Sequence, residues 1–442
     1  MKKRFIVFAL LLTLFLAACE TAQQAPIEAV LQDAPEPANE LGIPAQSNDT
    51  APAPESPVQA VAPEPKETFT IIQPTLTYPG AYNGPLYATS EQIGNGYPIK
   101  DYFANLNRNG VNWFIGFFTF ESAPDADWLT TDSGLGYLIT AVQKYPHRII
   151  PYYNPGYGGE EVEPLVGSRL TTIYRTNLGA IKRITGSEFI RGLGEIETQE
   201  WRVAHNSDEV KQLFTLARTN GINAMYHPVA PKISQVDALA KEYPDITFII
   251  HMYRSDLEQS RTQLIKILND NHNVYYSIDA AHIAHSDGMD ILYNYEKSPG
   301  FIAEFDRSYA RMLSDAVSDY KPLVTGAPDK IMWGTEAGPE YSFEPAVYNR
   351  LIKISRELIG KMPEEHQDAV GYKNALRAFG QGVVFNGTAT IRDINSWPTC
   401  TDAQIDACDT ECEIPDTDLL TAEQNACFED CLIERQCIDP EG

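Results

Sequence analysis

Three short apolar runs between residues 190 and 251 each stop at a chemically capable residue: Ile190-Arg191-Gly192-Leu193-Gly194 before Glu195, Ile222-Asn223-Ala224-Met225-Tyr226 before His227, and Ile246-Thr247-Phe248-Ile249-Ile250 before His251. The runs are too short for helices, and helix-like stretches separate them. This is the β-helix-β rhythm of a parallel sheet. Further strands are predicted at 69–75, 111–118, 148–153, 274–278 and 330–335, which with 190–195, 222–226 and 246–250 makes eight. Amphipathic segments at 97–107, 137–144, 208–219, 236–242, 263–269 and 309–319 lie between them. Eight alternations predict an α/β fold, a (β/α)8 TIM-like barrel, in which side chains at the carboxyl ends of the strands share one mouth. An open doubly wound sheet would carry a glycine-rich phosphate loop after its first strand, and residues 73–90 contain none.

Outside the barrel the chain changes character twice. Lys2, Lys3 and Arg4 precede the apolar run Phe5–Leu16, and Ala17-Ala18-Cys19 follows. A run of this length is an export signal; a spanning helix needs roughly 20 apolar residues. Leu16-Ala17-Ala18-Cys19 also resembles the bacterial lipobox, which implies lipidation of Cys19 and anchoring to a bacterial membrane, the outer membrane or cell surface before the inner. Residues 20–67, rich in Ala, Pro and Glu, are expected to form a disordered tether. The barrel is placed at 68–395, with helices near 345–359 and 365–379 after its last strand.

Six of the seven cysteines crowd a tail at 396–442: Cys400, Cys408, Cys412, Cys427, Cys431 and Cys437. A thiol-free body and a cysteine-rich end fit an oxidising compartment. Cys408 and Cys412 are four apart, as are Cys427 and Cys431, so each pair shares a helix face. Two antiparallel helices joined twice, with Cys400 and Cys437 as an outer bridge, is one connectivity among those six cysteines allow. A zinc knuckle is disfavoured because no CxxC is present.

The formal charge of -26, from 60 acidic residues against 34 Lys and Arg, repels phosphate backbones and argues against nucleic acid as a partner. Five of the eight histidines, His205, His227, His251, His282 and His285, fall at or just after the predicted carboxyl ends of strands. Glu195, Asp279, Asp287 and Glu336 add carboxylates there. Imidazole and carboxylate donors on that face predict a divalent metal site, zinc-like, or an acid-base site. Arg254 is a candidate clamp for a substrate carboxylate, with a surface pair to Asp256 as the alternative. Tyr152, Tyr153 and Tyr157 are candidates for lining the pocket, whereas Trp113, Phe114, Phe117, Phe118 and Phe120 read as core.

From Phe69 to Gly380 the body resembles the amidohydrolase superfamily, in its amidohydrolase-related branch of hydrolases and decarboxylases. The resemblance is carried by Asn105 to Val111, Lys144 to Ile149, Gly192-Leu193-Gly194-Glu195-Ile196, His227, Tyr243-Pro244-Asp245-Ile246 before His251, Asn273-Val274-Tyr275-Tyr276, Asp329 to Glu336, and Asn374 to Gly380. It implies a metal at the barrel mouth and places His227, His251 and Glu336 at the family's positions on strands five, six and eight, with Glu where the family has Asp. The strand-one His-x-His is missing: the best registration puts Gln73-Pro74-Thr75 there, and Gln and Thr are poor ligands for zinc-like ions. The expected site is therefore an altered one: His227, His251, Glu195 and Glu336 as metal donors, Glu336 and His251 as catalytic groups, and Arg254, His282, His285 and Tyr153 toward a small-molecule substrate. Two functions are compatible with it. One is a membrane-anchored hydrolase of an amide, ester or lactone, with a metal-free version in which the histidines polarise the carbonyl; the other is an inactive barrel kept as a surface ligand-binding module.

Overall fold

The structure is a computed structural model that describes residues 69–92, 97–119, 134–154, 168–185, 189–198, 204–286, 289–387, 402–412 and 431. Cys19, the 20–67 segment, Phe120, Tyr157, Asp287, Cys400, Cys427 and Cys437 lie outside these residues. Among them the barrel strands are β1 Leu86–Gln92, β2 Val111–Thr119, β3 Ile149–Asn154, β4 Gly192–Ile196, β5 Asn223–Tyr226, β6 Phe248–Ile250, β7 Val274–Asp279 and β10 Ile331–Gly334, with a small antiparallel hairpin, β8 His285–Ser286 and β9 Met289–Asp290, inserted after β7. All eight barrel strands pair in parallel and close in the order β1-β10-β7-β6-β5-β4-β3-β2. The α/β barrel expected from the alternating pattern is the fold observed. Helices Ile99–Arg108, Gly134–Lys144, Ser168–Thr185, Asp208–Asn220, Ile233–Glu242, Arg254–Asp270, Ser298–Gly326 and Pro345–Gly360 form the outer layer.

The two-residue period of the strands divides the core into two. Along β2, Trp113, Ile115 and Phe117 point inward and pack with Tyr87, Ile150, Tyr152, Met225, Ile249 and Met332, which fill the barrel interior. Phe114 and Phe118 point outward into the much larger cluster between strands and helices. The interior is thus a packed core, and chemistry is confined to the rim.

One strand is misplaced by the sequence pattern. The run 69–75 is not β1; it lies outside the barrel ladder, tied by the Asn112 side chain to the backbone of Ile72 (2.6 and 2.9 Å) and by Arg108 O to the amides of Thr75 and Leu76 (3.0 Å each), while Phe69 rests on Trp113. Pro74, which has no amide hydrogen to give to a ladder, sits within it. The true β1, Leu-Tyr-Ala-Thr-Ser-Glu-Gln, hides from an apolar-run reading because Thr89, Ser90 and Glu91 are polar yet fully buried. Thr89 is satisfied by Ser277 Oγ (2.7 Å) and Trp333 O (3.0 Å), and Glu91 by the hydroxyls of Tyr102 (2.7 Å) and Thr335. The registration of Gln73-Pro74-Thr75 onto strand one is therefore wrong: strand one is Leu86–Gln92, and a buried carboxylate, Glu91, stands next to its end.

Entry into β1 is fixed by Arg356, a fully buried arginine on helix Pro345–Gly360. Its guanidinium donates to the carbonyls of Tyr82 (2.8 Å), Gly84 (2.9 Å) and Asn109 (2.5 Å). In the tail, helix Asp402–Glu411 carries Cys408, which is bonded to Cys431 with the Cα atoms 5.7 Å apart, joining one member of each four-spaced pair. Cys412 is disulfide-bonded as well.

Replacing Arg356 by Leu takes the donor from three carbonyls, those of Tyr82 and Asn109 in buried contacts and that of Gly84 in a part-buried one. A loss of stability on the order of 3–5 kcal/mol follows from the usual cost of such groups. Chemical denaturation of the two proteins measures it; a change below about 1 kcal/mol would mean that the β1 entry is held by something else.

Candidate metal centre

At the carboxyl end of β4 the backbone must turn sharply to present Glu195. Gly194 makes this possible: its φ is +129°, and a Cβ there would lie 2.5 Å from the Met225 carbonyl oxygen. Glu195 Oε1 meets two imidazoles at once, His227 Nδ1 at the end of β5 (2.8 Å) and His251 Nε2 at the end of β6 (2.8 Å). Glu197, two residues on, reaches His227 Nδ1 at 3.5 Å. His251 turns its other nitrogen to Asp279 Oδ2 at the end of β7 (3.1 Å). His282, in the short helix Ala280–Ile283, is held by Asp290 Oδ2 through Nδ1 (3.0 Å) and faces Glu336 Oε2 through Nε2 (2.8 Å). Asp290 uses its second oxygen on His285 Nδ1 (2.8 Å).

A pattern runs through these contacts. Each of the three buried imidazoles has Nδ1 engaged by a carboxylate: His227 by Glu195, His251 by Asp279, His282 by Asp290. Each has Nε2 buried without a hydrogen bond of acceptable geometry, and so does Glu336 Oε2. The 2.8 Å approaches at His251 Nε2 and His282 Nε2 are short in distance but misaligned as hydrogen bonds. Acid-braced imidazoles that present the opposite nitrogen are the arrangement of metal-ligating histidines. Donor atoms of Glu195, His227 and His251 lie within 4.8 Å of one another, and so do those of His251, Asp279, His282 and Glu336. Imidazole and carboxylate are the ligand types zinc-like ions prefer, and four buried donors lack partners, so the residues present fit a divalent ion.

Electrostatics follow from the same contacts. Burial alone would raise the Glu195 carboxyl, but the charge on His251 close by and the hydrogen bond with His227 outweigh it and hold the group well below the usual carboxylate range. Burial opposes charge on the imidazoles too; Glu195 and Asp279 nevertheless push His251 well above its ordinary value, Glu336 and Asp290 do the same to His282, and Glu195 with Glu197 raises His227. Glu336 is raised because burial outweighs the attraction of His282. Burial, then the repulsion of Glu195, pushes Glu197 up to about 7.

Glu336 is also held in an uncommon backbone conformation, with φ at +50°. Its amide donates to Ser90 O (2.9 Å), and its carbonyl accepts from the Tyr293 hydroxyl (2.6 Å). A non-glycine residue there costs on the order of 1–3 kcal/mol, which the surrounding bonds must offset.

The other sequence-derived candidates are placed differently. Arg254 begins helix Arg254–Asp270 and is ion-paired to Asp319 (2.5 Å) and Asp315 (3.8 Å) of helix Ser298–Gly326, not to Asp256. With Nε on Asp319 and a terminal nitrogen toward Asp315, its guanidinium is engaged by the outer helix layer rather than offered as a carboxylate clamp. Tyr153 is no pocket residue: the β3 period turns it outward, fully buried against Phe118 and Tyr174, with its hydroxyl bonded to Asn177 (2.5 Å). Tyr152 points into the barrel core. His285 stays partly exposed on the hairpin and touches the site through Asp290. His205 lies apart from the donor sets, with Nδ1 on the Thr198 hydroxyl and Nε2 accepting from the Val229 amide (3.1 Å). Sequence reading missed Glu197, whose signal was the Glu-x-Glu spacing at a strand end, and the roles of Asp290, Tyr253 and Tyr293. The Tyr253 ring lies 4.4 Å from that of His227 and 5.5 Å from that of His282.

No protein-family model matches the sequence, and no curated protein does. Solved structures do resemble the fold. A protein of Pseudomonas putida described as a 2-pyrone-4,6-dicarboxylic acid hydrolase aligns over 67% of this chain and 97% of its own, with 13% identity and a TM-score of 0.40. An amidohydrolase of Burkholderia multivorans with bound zinc aligns over 67% and 100%, with 11% identity and a TM-score of 0.39. The L-hydantoinase of Arthrobacter aurescens aligns over 69% and 74%, with 11% identity and a TM-score of 0.39. Likeness of this extent transfers neither activity nor metal to the chain.

Burial lowers the His205 pKa to about 4, against about 6.5 in an unfolded chain. Between those values the unfolded form binds a proton that the folded form refuses, so this contribution to stability is complete above pH 6.5 and is lost as pH falls toward 4. Melting temperature across that window is expected to fall less steeply in His205→Gln than in the parent. Equal slopes would show that His205 does not titrate in this way.

Proposed function

We propose that this chain is a metal-dependent hydrolase of amidohydrolase type that cleaves an amide, ester or lactone bond in a small molecule. The observation that carries the reading is the set of buried donors without partners, His227 Nε2, His251 Nε2, His282 Nε2 and Glu336 Oε2, at the carboxyl end of a closed barrel. In this reading Glu195, His227 and His251 would hold a divalent ion, and His251 is shared with a second donor set that includes Asp279, His282 and Glu336. When bound, a divalent ion supplies Lewis acidity, which polarises a carbonyl and makes water a better nucleophile.

The remaining work falls to the chain's own groups. Asp279 fixes the tautomer and ring orientation of His251, and Asp290 those of His282. Glu195 stays ionised between its two histidines. Glu336 accepts a proton at Oε2 as water attacks the carbonyl carbon, and returns it to the departing nitrogen or oxygen as the C–N or C–O bond breaks. A buried carboxyl raised toward neutrality is suited to both halves of that exchange. The left-handed backbone at Glu336 keeps the carboxylate at the rim rather than turned back into the strand. Export and lipid attachment at Cys19, with residues 20–67 as a tether, belong to the same proposal and rest on Lys2–Arg4, Phe5–Leu16 and the lipobox-like Leu16-Ala17-Ala18-Cys19.

Metal analysis of the purified protein and a screen of amides, esters and lactones test the enzyme. A divalent ion is expected to co-purify. Glu336→Gln should keep it while losing turnover by about 10²–10⁴-fold, and His227→Ala should lose both. Wild-type protein with neither metal nor turnover would overturn the reading in favour of a ligand-binding barrel. For the anchor, palmitate labelling should be abolished by Cys19→Ala, which would also move the protein to the soluble fraction; unchanged partitioning would remove the lipid from the proposal.

A further inference from the structure

Two hydroxyls stand in the upper layer of the barrel interior, where branched apolar side chains are the usual filling. Thr89 lies two residues beyond Tyr87 on β1, and Ser277 two beyond Tyr275 on β7; both tyrosines pack in the interior core, so the period of the strands turns both hydroxyls to the same face. Thr89, Ser277 and Asp279 are all buried. One more step along that face of β7 reaches Asp279, whose Oδ2 holds His251 Nδ1 at 3.1 Å. Its other oxygen belongs to Ser277: the hydroxyl donates to Asp279 Oδ1 at 2.5 Å, the one donor to that oxygen among the described residues. Thr89 Oγ1 is 2.7 Å from Ser277 Oγ and 3.0 Å from Trp333 O. Counting hydrogens fixes the direction of the chain. A carboxylate has none to give, so Ser277 donates its single hydrogen to Asp279 and can only accept from Thr89.

Two further features reserve Asp279 for His251. Asp279 occupies the N-cap position of helix Ala280–Ile283, where an aspartate ordinarily accepts from the first helix amides, yet its side chain makes no such bond. Opposite it, in register on β10, stands Gly334, at which a Cβ would fall inside contact distance of Asp279 Oδ1 and lie 2.7 Å from Ser277 Oγ. The strand is bare where the carboxylate passes. Glu336 Oε2, the other acid near His251 Nδ1, is 4.0 Å away, outside hydrogen-bond reach.

Resting on the metal reading above, we infer that Thr89, Ser277 and Gly334 are positioning residues for His251. The two hydroxyls, with the space that Gly334 leaves, hold Asp279 in the rotamer that accepts from His251 Nδ1, and so keep Nε2 as the nitrogen offered to a divalent ion. None of the three belongs to the donor sets; they act through Asp279. Three neighbouring strands, β1, β10 and β7, thereby set the aim of a ligand carried by the next strand, β6. Orientation of a ligating imidazole by its acid partner is a large part of its affinity, and a carboxylate held by one oxygen alone is free to turn away.

Two measurements on the full chain test this. One is zinc affinity, read by competition with a chelator; the other is solvent exchange of the His251 Nδ1 proton in metal-free protein carrying isotopically labelled histidine, assigned with His251→Gln. Ser277→Ala should weaken zinc by about tenfold. It should also speed exchange of the Nδ1 proton by about tenfold or more, because the acceptor is no longer held. Ser277→Thr, which keeps the hydroxyl, should return both to within about twofold of the parent. Gly334→Ala should weaken zinc beyond Ser277→Ala. An exchange rate in Ser277→Ala equal to the parent's, or an equal zinc affinity where the parent binds zinc, makes the hydroxyls mere packing and overturns the inference, whatever happens to the melting temperature. Its failure is distinct from that of the metal reading: a parent that binds no zinc but shows exchange dependent on Ser277 keeps the positioning of His251 and discards the metal, and zinc-dependent turnover indifferent to Ser277 does the reverse.

Discussion

The structure depends on how its buried acids are paired with its buried imidazoles. Glu195, Asp279 and Glu336 sit where water cannot solvate them, and an isolated carboxylate in such surroundings would cost several kcal/mol. His227, His251 and His282 relieve that cost, but only with one ring nitrogen each in good hydrogen-bond geometry. The other nitrogen is left facing the mouth. With Glu197 and Asp290 counted, five acids face these three imidazoles, and a divalent ion would answer both that charge and the nitrogens left without hydrogen bonds. The pairing that makes burial of these acids tolerable is thus the same one that leaves the opposite ring nitrogens available.

That arrangement is imposed by the barrel and not by the loops alone. β4, β5, β6 and β7 end at Glu195, His227, His251 and Asp279 within one turn of the rim, so four donors come from rigid, parallel neighbours. The fifth position is harder to hold. Glu336 follows β10 in a left-handed conformation, and its amide is caught by Ser90 O at the end of β1. Beneath it Thr335 is bonded to Ser90 and to the buried Glu91, which Tyr102 also holds. β1 therefore supports the donor cluster from beneath: its buried polar residues lock the segment that carries Glu336.

What could be read from the sequence follows this physical division. Apolar runs that stop at a polar residue are visible without coordinates, and so Glu195, His227 and His251 were identified together with the strands that carry them. β1 was not visible, because its buried Thr89, Ser90 and Glu91 look like a surface segment until their partners on β7, β10 and the first helix are known. The apolar stretch at 69–75 took its place for the opposite reason: it packs beneath Trp113 as a strap, and apolarity does not distinguish a strap from a strand. Tyr153 illustrates the one-residue error to which strands are prone, since its neighbour Tyr152 faces the interior and it faces the helices. His282 was recognised as a mouth residue, but its kinship with His227 and His251 lay in Asp290, eight residues downstream across a hairpin that no local pattern announces.

The charge of the mouth was beyond a sequence total for a related reason. A net charge of -26 spread over the surface is screened within about 8 Å at physiological salt, so it says little about what enters a particular cleft. Charges lining a concave, low-dielectric rim are screened far less, and there the sign is decided by pairing. Asp319 and Asp315 matter in this respect although they touch no donor atom. By drawing Arg254 into the outer helix layer they turn away a guanidinium that directly follows Tyr253 in the chain. The charge met at the mouth is in that sense influenced from behind it, by an ion pair whose members lie between helices Arg254–Asp270 and Ser298–Gly326.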